Sequence, residues 1–198
     1  VLKSASTSLL SILNDVLDLS KIEAGKIDLE EIPTDIVQLL ENIHKTQIST
    51  ATEKGINFLL ETEFSVNGKY LLDPTRTRQI ITNLVSNAIK FTNKGSVKIR
   101  TRHKDDILYI DVEDTGMGIA PEALKTIFDS FQQEDNTTTR RFGGTGLGLA
   151  IVKELAGLMG GQVTVNSTPG QASTFSVQLK APKAEPDPKD CSEQQQID

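Results

Sequence analysis

The sequence has little with which to cross-link itself or to ligate a metal. It carries one cysteine, Cys191, and no tryptophan in 198 residues, which excludes an internal disulfide and a multi-cysteine zinc site. A reducing compartment suits such a chain. The two histidines, His44 and His103, lie far apart without metal-ligand spacing. Purely apolar runs reach only about four residues, against the ~20 that cross a bilayer, and no signal-peptide pattern opens the chain. A cytoplasmic setting without direct membrane contact is therefore expected. Basic charge is also in deficit: 21 Lys and Arg stand against 27 Asp and Glu, a formal net charge of −6. That balance argues against nucleic acid and other acidic polymers as partners. Two N-x-[ST] matches, at 136–138 and 166–168, would suggest glycosylation only in a secreted chain and are expected to be chance occurrences.

Two common phosphate-binding signatures are missing as well. The dense glycine cluster Gly143-Gly144-Thr145-Gly146-Leu147-Gly148 is followed by Leu149 rather than Lys, so a P-loop is out. Neither this cluster nor Gly116-Met117-Gly118 completes G-x-G-x-x-G, which removes the dinucleotide fold and the glycine loop of Ser/Thr/Tyr kinases.

What is present fits one full domain with a small appendage. Residues 1 to about 24 have a wide apolar stripe at helical spacing, which this chain or a partner helix must cover. A second helix is expected from an N-cap at Thr34 to Lys54, and a third from Asp73-Pro74 to about Thr92. Residues 56–63 and 70–72 read as short strands, and 97–101 with 108–112 as a hairpin across Lys104-Asp105-Asp106. A short helix over Pro121 to Phe128, a long loop over 129–143, a helix over Leu147 to Met159 and strands over 162–167 and 173–180 complete the core. The tail from 181 to 198 is polar, holds three prolines and carries −3 of the net charge, so it reads as a flexible linker.

Four clusters could carry chemistry. Asn83, Asn87 and Lys90 fall within roughly 60° of one another on the third helix, so two amides and an ammonium share a face. Amide oxygens suit magnesium and an ammonium suits phosphate, although a plain solvated stripe has the same pattern. Asp114-Thr115-Gly116-Met117-Gly118-Ile119 ends a strand, where a carboxylate can accept from a ligand amine and glycines let a ligand approach the backbone; a simple strand-to-helix turn is the alternative. Phe128 and Phe131 could anchor a lid or close a core. Thr145-Gly146-Leu147-Gly148 leads into a helix whose N-terminal N–H groups would attract an anion, with Arg140 and Arg141 upstream; a turn without a ligand remains open.

Taken together these clusters resemble the ATP-binding domain of sensor histidine kinases, in the superfamily shared with DNA gyrase, a heat-shock chaperone and the MutL mismatch-repair protein. Asn83 to Lys90 is similar to the N box, Asp114 to Gly118 to the first glycine box, Phe128 to Phe131 to the F box and Gly144 to Gly148 to the second glycine box. The likeness covers about residues 32–180. Residues 1–24 resemble the end of the second helix of the family's dimerisation and phosphoacceptor hairpin.

The resemblance implies a two-layer α/β sandwich of the Bergerat type, a mixed sheet with helices on one face, preceded by one bundle helix. It implies ATP and magnesium as cofactors. Asn87 would hold the metal, Asn83 and Lys90 would face the phosphates, and Phe91 would line the site. Asp114 would take the adenine amino group beside Gly116, Gly118 and Ile119. Arg140 would approach the terminal phosphate, Thr145, Gly146, Leu147 and Gly148 would cradle the phosphate chain, and Ser173 would stand near adenine, with Ala172 where the family usually has glycine.

Water-splitting relatives place a glutamate base where Asn83 stands, and an amide cannot take that proton at neutral pH, so transfer to a protein nucleophile is expected over hydrolysis. The family's acceptor histidine lies on the first hairpin helix, and neither His44 nor His103 matches it. The chain is accordingly expected to bind ATP and not to phosphorylate itself. Expected partners are its own hairpin, as a homodimer, and a receiver domain or response regulator, in the cytoplasmic part of a membrane-anchored sensor. A nucleotide-binding dimerisation module without transfer, or a gyrase-like ATPase, are the alternatives.

Overall fold

A computed structural model describes residues 2–63, 68–130 and 146–185, with side chains from Leu13 onward. The elements run α1 (Leu2–Glu23), β1 (Ile32–Asp35), α2 (Ile36–Glu53), β2 (Ile56–Thr62), β3 (Lys69–Leu72), α3 (Pro74–Phe91), β4 (Gly95–Lys104), β5 (Ile107–Asp114), a 3-10 turn (Ala123–Lys125), α4 (Gly148–Leu158), β6 (Gln162–Thr168) and β7 (Ala172–Lys180).

Strict alternation builds the sheet. Along β4, β5 and β7 every second residue is buried: Val97, Ile99 and Thr101; Leu108, Ile110, Val112 and Asp114; Ser173, Phe175, Val177 and Leu179. A period of two puts each row on one face. The strand order is β2-β4-β5-β7-β6, with β2 parallel to β4 and every other neighbour antiparallel. Helices α2, α3 and α4 bury their apolar residues against that inward face. This is the expected two-layer α/β sandwich with a mixed sheet. The β4–β5 loop is Asp105-Asp106, both at positive φ of 52° and 59°, as a two-residue hairpin of the twist-matched kind requires.

Helix α1 divides its stripe. Leu19 and Ile22 are buried in the common core, whereas Leu13, Val16 and Leu17 stay exposed at 55%, 38% and 48%. Asp18 secures the junction, accepting from Gln79 Nε2 at 2.7 Å and lying 3.7 Å from the Arg76 guanidinium. Among the described residues no helix is long and apolar enough to cross a membrane.

Four expectations need correction. The cap of α2 is Asp35, whose carboxylate accepts from the Gln38 amide at 2.9 Å. Thr34 is instead paired with Tyr70 in a strand, β1, that reads in the sequence as the approach to a helix. Second, the strand expected over 70–72 begins at Lys69 and, as β3, forms a separate two-stranded sheet with β1. Third, the helix expected over 121–128 reduces to the 3-10 turn, with no side-chain cap at Glu122. So short a segment gains too few hydrogen bonds to offset the cost of nucleating a helix. Fourth, the linker begins later than 181. The Ala181 amide donates to Asp106 O, Pro182 O accepts from the Leu71 amide and the Ala184 amide donates to Lys69 O, each at 2.8 Å. Lys183 thereby bridges to Tyr70. The loop expected over 129–143 lies, beyond Ser130, outside the described residues.

Asp73 fixes where α3 starts. It is buried, its Oδ1 accepts from the Arg76 amide at 2.9 Å, and its Oδ2 accepts from the Glu30 amide at 3.0 Å. Replacing it with alanine removes a helix cap and strands a second amide. Asp73→Ala should therefore lower the unfolding free energy by about 2 kcal/mol, read as a reduced urea midpoint, and an unchanged midpoint would contradict this account of the helix start.

Candidate functional site

The inward row of β5 ends on a carboxylate. Leu108, Ile110 and Val112 are wholly buried, and Asp114, next in the alternation, is only 6% exposed. It lies in register with Val97 on one side and Ser173 on the other. The Gly116 amide donates to Asp114 Oδ1 at 2.8 Å. Burial pushes the Asp114 carboxyl above its ordinary range, while hydrogen bonds from the Gly116 amide and the Ser173 hydroxyl pull in the other direction. A second hydroxyl extends the network: Ser167 Oγ lies 3.0 Å from Ser173 Oγ, donates to Ala172 O at 2.8 Å and accepts from the Ile119 amide at 2.9 Å. Ser167 is absent from the sequence expectations. Its signal was its place after Val163 and Val165 in the half-buried row of β6.

The glycines after Asp114 have a packing reason beside the one expected. A Cβ on Gly116 would sit 2.6 Å from Phe91 O, and one on Gly118, at φ +67°, would sit 2.2 Å from Thr168 O. Both positions are needed because backbone meets backbone, against the end of α3 and against the β6–β7 turn. The Gly170 amide donates to Met117 O at 2.6 Å and closes the second contact.

Helix α3 carries the amide and ammonium face. Its buried side is Thr77, Ile80, Ile81, Leu84, Val85, Ala88 and Ile89, and Asn83, Asn87 and Lys90 are half-buried along the flank. Asn83 Nδ2 donates to Gly148 O at 3.4 Å, so the face touches the first turn of α4. Lys90 Nζ lies 4.8 Å from the centre of the Phe91 ring. Burial holds the Lys90 ammonium below the usual lysine range, and among the described residues no carboxylate pairs with it. At the far end, Thr92 is wholly buried and its hydroxyl has no hydrogen-bond partner among the described residues.

Helix α4 begins without a side-chain cap, with Leu147 at the N-cap position. Leu147 is 1% exposed, so its side chain belongs to the core. Of the expected site residues, α3 thus joins Asn83, Asn87, Lys90 and Phe91 to the Asp114 loop at one end and to Gly148 on its flank. Phe128 packs edge-on against Phe175, ring centres 6.4 Å apart, and serves the core. Phe131, Arg140 and Thr145 lie outside the described residues.

The chain is similar to known proteins in sequence and in fold. A family model described as "Histidine kinase-, DNA gyrase B-, and HSP90-like ATPase" matches residues 72–183. The sensor protein GacS of Pseudomonas syringae pv. syringae is 42% identical over 195 residues, covering 94% of this chain and 21% of that protein. The autoinducer 2 sensor kinase/phosphatase LuxQ of Vibrio harveyi is 40% identical over 188 residues, covering 90% and 22%. The chain thus spans about a fifth of the length of these curated relatives. Among solved structures, full-length ShkA in complex with AMPPNP superimposes with a TM-score of 0.83 at 36% identity, covering 93% of this chain and 38% of that one.

The buried carboxylate has a consequence for stability. Its folded-state pKa is raised, so the folded protein holds that proton more tightly than the unfolded chain does. Charging Asp114 therefore costs stability as pH rises through the window between the unfolded and folded values, and the cost is full above the folded value. Asp114→Asn should melt at or above the wild-type temperature at neutral pH, with its relative advantage shrinking as pH falls through the folded value and wild-type Asp114 takes up its proton. Thermal unfolding across that pH range checks it; an advantage that grows on acidification would reverse the sign assigned here.

Proposed function

The chain belongs to the histidine kinase-, DNA gyrase B- and HSP90-like ATPase family, and on that premise we propose that it is the ATP-binding catalytic portion of a sensor histidine kinase, moving the terminal phosphate of ATP to a histidine. One observation carries the proposal. A single helix, α3, ends against the loop of a buried carboxylate and lays its amide and ammonium face beside the uncapped start of α4. Few ligands need an acceptor for an exocyclic amine and donors for phosphate on two sides of one helix; a purine triphosphate does.

The residues present fit that ligand. Asp114 would accept from the adenine amino group, its geometry set by Gly116, Ser173 and Ser167, with Gly118 and Ile119 beside the base. The half-buried Lys90 ammonium lacks a carboxylate among the described residues, and a phosphate would supply the missing charge. Asn83 would donate to phosphate oxygens, Phe91 would line the site, and the backbone of Gly146, Leu147 and Gly148 would receive the phosphate chain, with Thr145 and Arg140 adding contacts. Among the described residues no three His, Cys, Asp or Glu side chains converge on one point. Magnesium would accordingly be held by the Asn87 amide oxygen and mainly by phosphate oxygens and water, the usual manner for this ion; bound there it would offset charge on the phosphates.

Asn83 has no basicity with which to activate water, which favours transfer to a protein nucleophile over hydrolysis. On this reading neither histidine here serves as that nucleophile, and each already has a backbone partner. His44 Nε2 is bonded to Phe58 O at 3.0 Å and His103 Nε2 to Ala181 O at 2.8 Å. The acceptor would come from the dimerisation hairpin to which α1 corresponds, and a receiver domain would take the phosphoryl group onward.

A calorimetric titration with ATP and magnesium tests this reading. Asp114→Asn should weaken binding by about 1–3 kcal/mol, the scale of a hydrogen bond to a charged group. An unchanged affinity would remove Asp114 from the base site. With labelled ATP, this chain should gain no acid-labile label alone and should label a separately supplied phosphoacceptor hairpin. ATP binding without transfer in trans would favour a nucleotide-sensing module instead.

A further inference from the structure

An α-helix leaves its last carbonyls without intrahelical partners, and a lysine in the last turn commonly folds back to serve them. Helix α3 has such a lysine, Lys90, yet another residue performs the task. Ala88 O accepts from the Thr92 amide at 3.0 Å. Ile89 O and Lys90 O accept from Lys54 Nζ at 2.5 and 3.0 Å, across 35 and 36 positions of sequence, from the C-cap of α2. Phe91 O faces the space above Gly116. Three of the four terminal carbonyls thus have donors other than Lys90, and the Lys90 ammonium lies over the Phe91 ring instead.

We propose that Lys54 is a positioning residue of the nucleotide site: by taking the carbonyls at the end of α3 it keeps the Lys90 ammonium available to phosphate and holds the Phe91 turn against Gly116. The proposal rests on the nucleotide reading above. Lys54 touches no ligand in it and acts through one turn of helix. In its absence Lys90, the basic residue of the last turn, is free to serve the helix end, where the macrodipole and the freed carbonyls attract it. Lys90 would then turn away from the phosphates. The effect should be larger on the phosphate chain than on the base, because the Asp114 carboxylate is held by its own amide and hydroxyl donors.

The test compares Lys54→Met, Lys54→Gln and Lys54→Arg with the wild type, using Mg-ATP and adenosine as separate probes, well below every melting temperature. Lys54→Met should lose about tenfold in ATP affinity, the scale of one charged contact, with adenosine affinity close to wild type. Lys54→Arg, which keeps a cation within reach of the carbonyls, should recover most of the loss. His44→Ala, which removes the contact of α2 with Phe58 of β2, supplies a destabilised control with ATP affinity intact. Equal losses for ATP and adenosine, or no recovery with arginine, overturn the proposal, as does unchanged ATP binding in Lys54→Met. If Lys54→Met does not fold, Lys54→Gln is read by the same criterion, and loss of fold in both assigns Lys54 to the core and overturns it too. A wild type that binds neither probe overturns the nucleotide reading itself, and so is distinguished from variants that fail to differ.

Discussion

Burial of Ile80, Ile81, Leu84, Val85, Ala88 and Ile89 against the sheet fixes the rotation of α3, and that rotation decides where Asn83, Asn87 and Lys90 lie. At about 100° per residue the polar flank cannot turn without dragging the apolar face out of the core. The same helix is pinned lengthwise, by Asp73 at its start and Lys54 at its end. A binding face built on core packing in this way is held more precisely than one carried by a loop. The two neighbouring segments, the Asp114 loop and the first turn of α4, take their places by contact with it.

Two ionisable groups on this frame are shifted in opposite senses by one cause. Burial raises the Asp114 carboxyl and lowers the Lys90 ammonium, so each holds its charge at some expense. Elsewhere the chain pairs its charges where they are cheap: Glu61 on the outer face of the sheet meets both Lys98 and Arg100, and Arg100 meets Glu113. Those exposed pairs contribute little to stability. The contrast separates a solvated surface from a site, since partly desolvated and incompletely compensated charge is what a ligand of the right pattern can relieve.

Much of this was legible in sequence because it is periodic or local. Alternation along 97–101 and 108–112 gave the hairpin, and the carboxylate at 114 fell on the buried row by the same count. Helical spacing put Asn83, Asn87 and Lys90 on one flank. What escaped depends on partners far along the chain. Strand β1 exists because Ile32 to Asp35 meet Lys69 to Leu72, and no local pattern announces that pairing. The docking of 181–184 rests on Lys69, Leu71 and Asp106, again remote, so a polar, proline-bearing segment reads as linker from its first residue. Lys54 precedes a helix-stopping glycine and looks like any surface lysine until α3 is laid beside it. At 116 and 118 a sequence shows that a side chain is missing and not that the backbone of Phe91 and Thr168 fills the space.

That last difference bears on how binding energy would be divided. With Gly116 against Phe91 O and Gly118 against Thr168 O, the loop after Asp114 is packed on both sides by protein, and its carboxylate already accepts from Gly116 and Ser173. On the proposed reading the base side is preorganised, so a ligand there would cost little reordering. The phosphate side differs, with an uncapped helix start at α4 and an ammonium lacking a carboxylate partner among the described residues. On the proposed nucleotide reading, most of the favourable electrostatic change on binding would therefore arise at the phosphates, while the buried carboxylate would select among bases, since a purine lacking the amine would leave Asp114 desolvated and under-bonded.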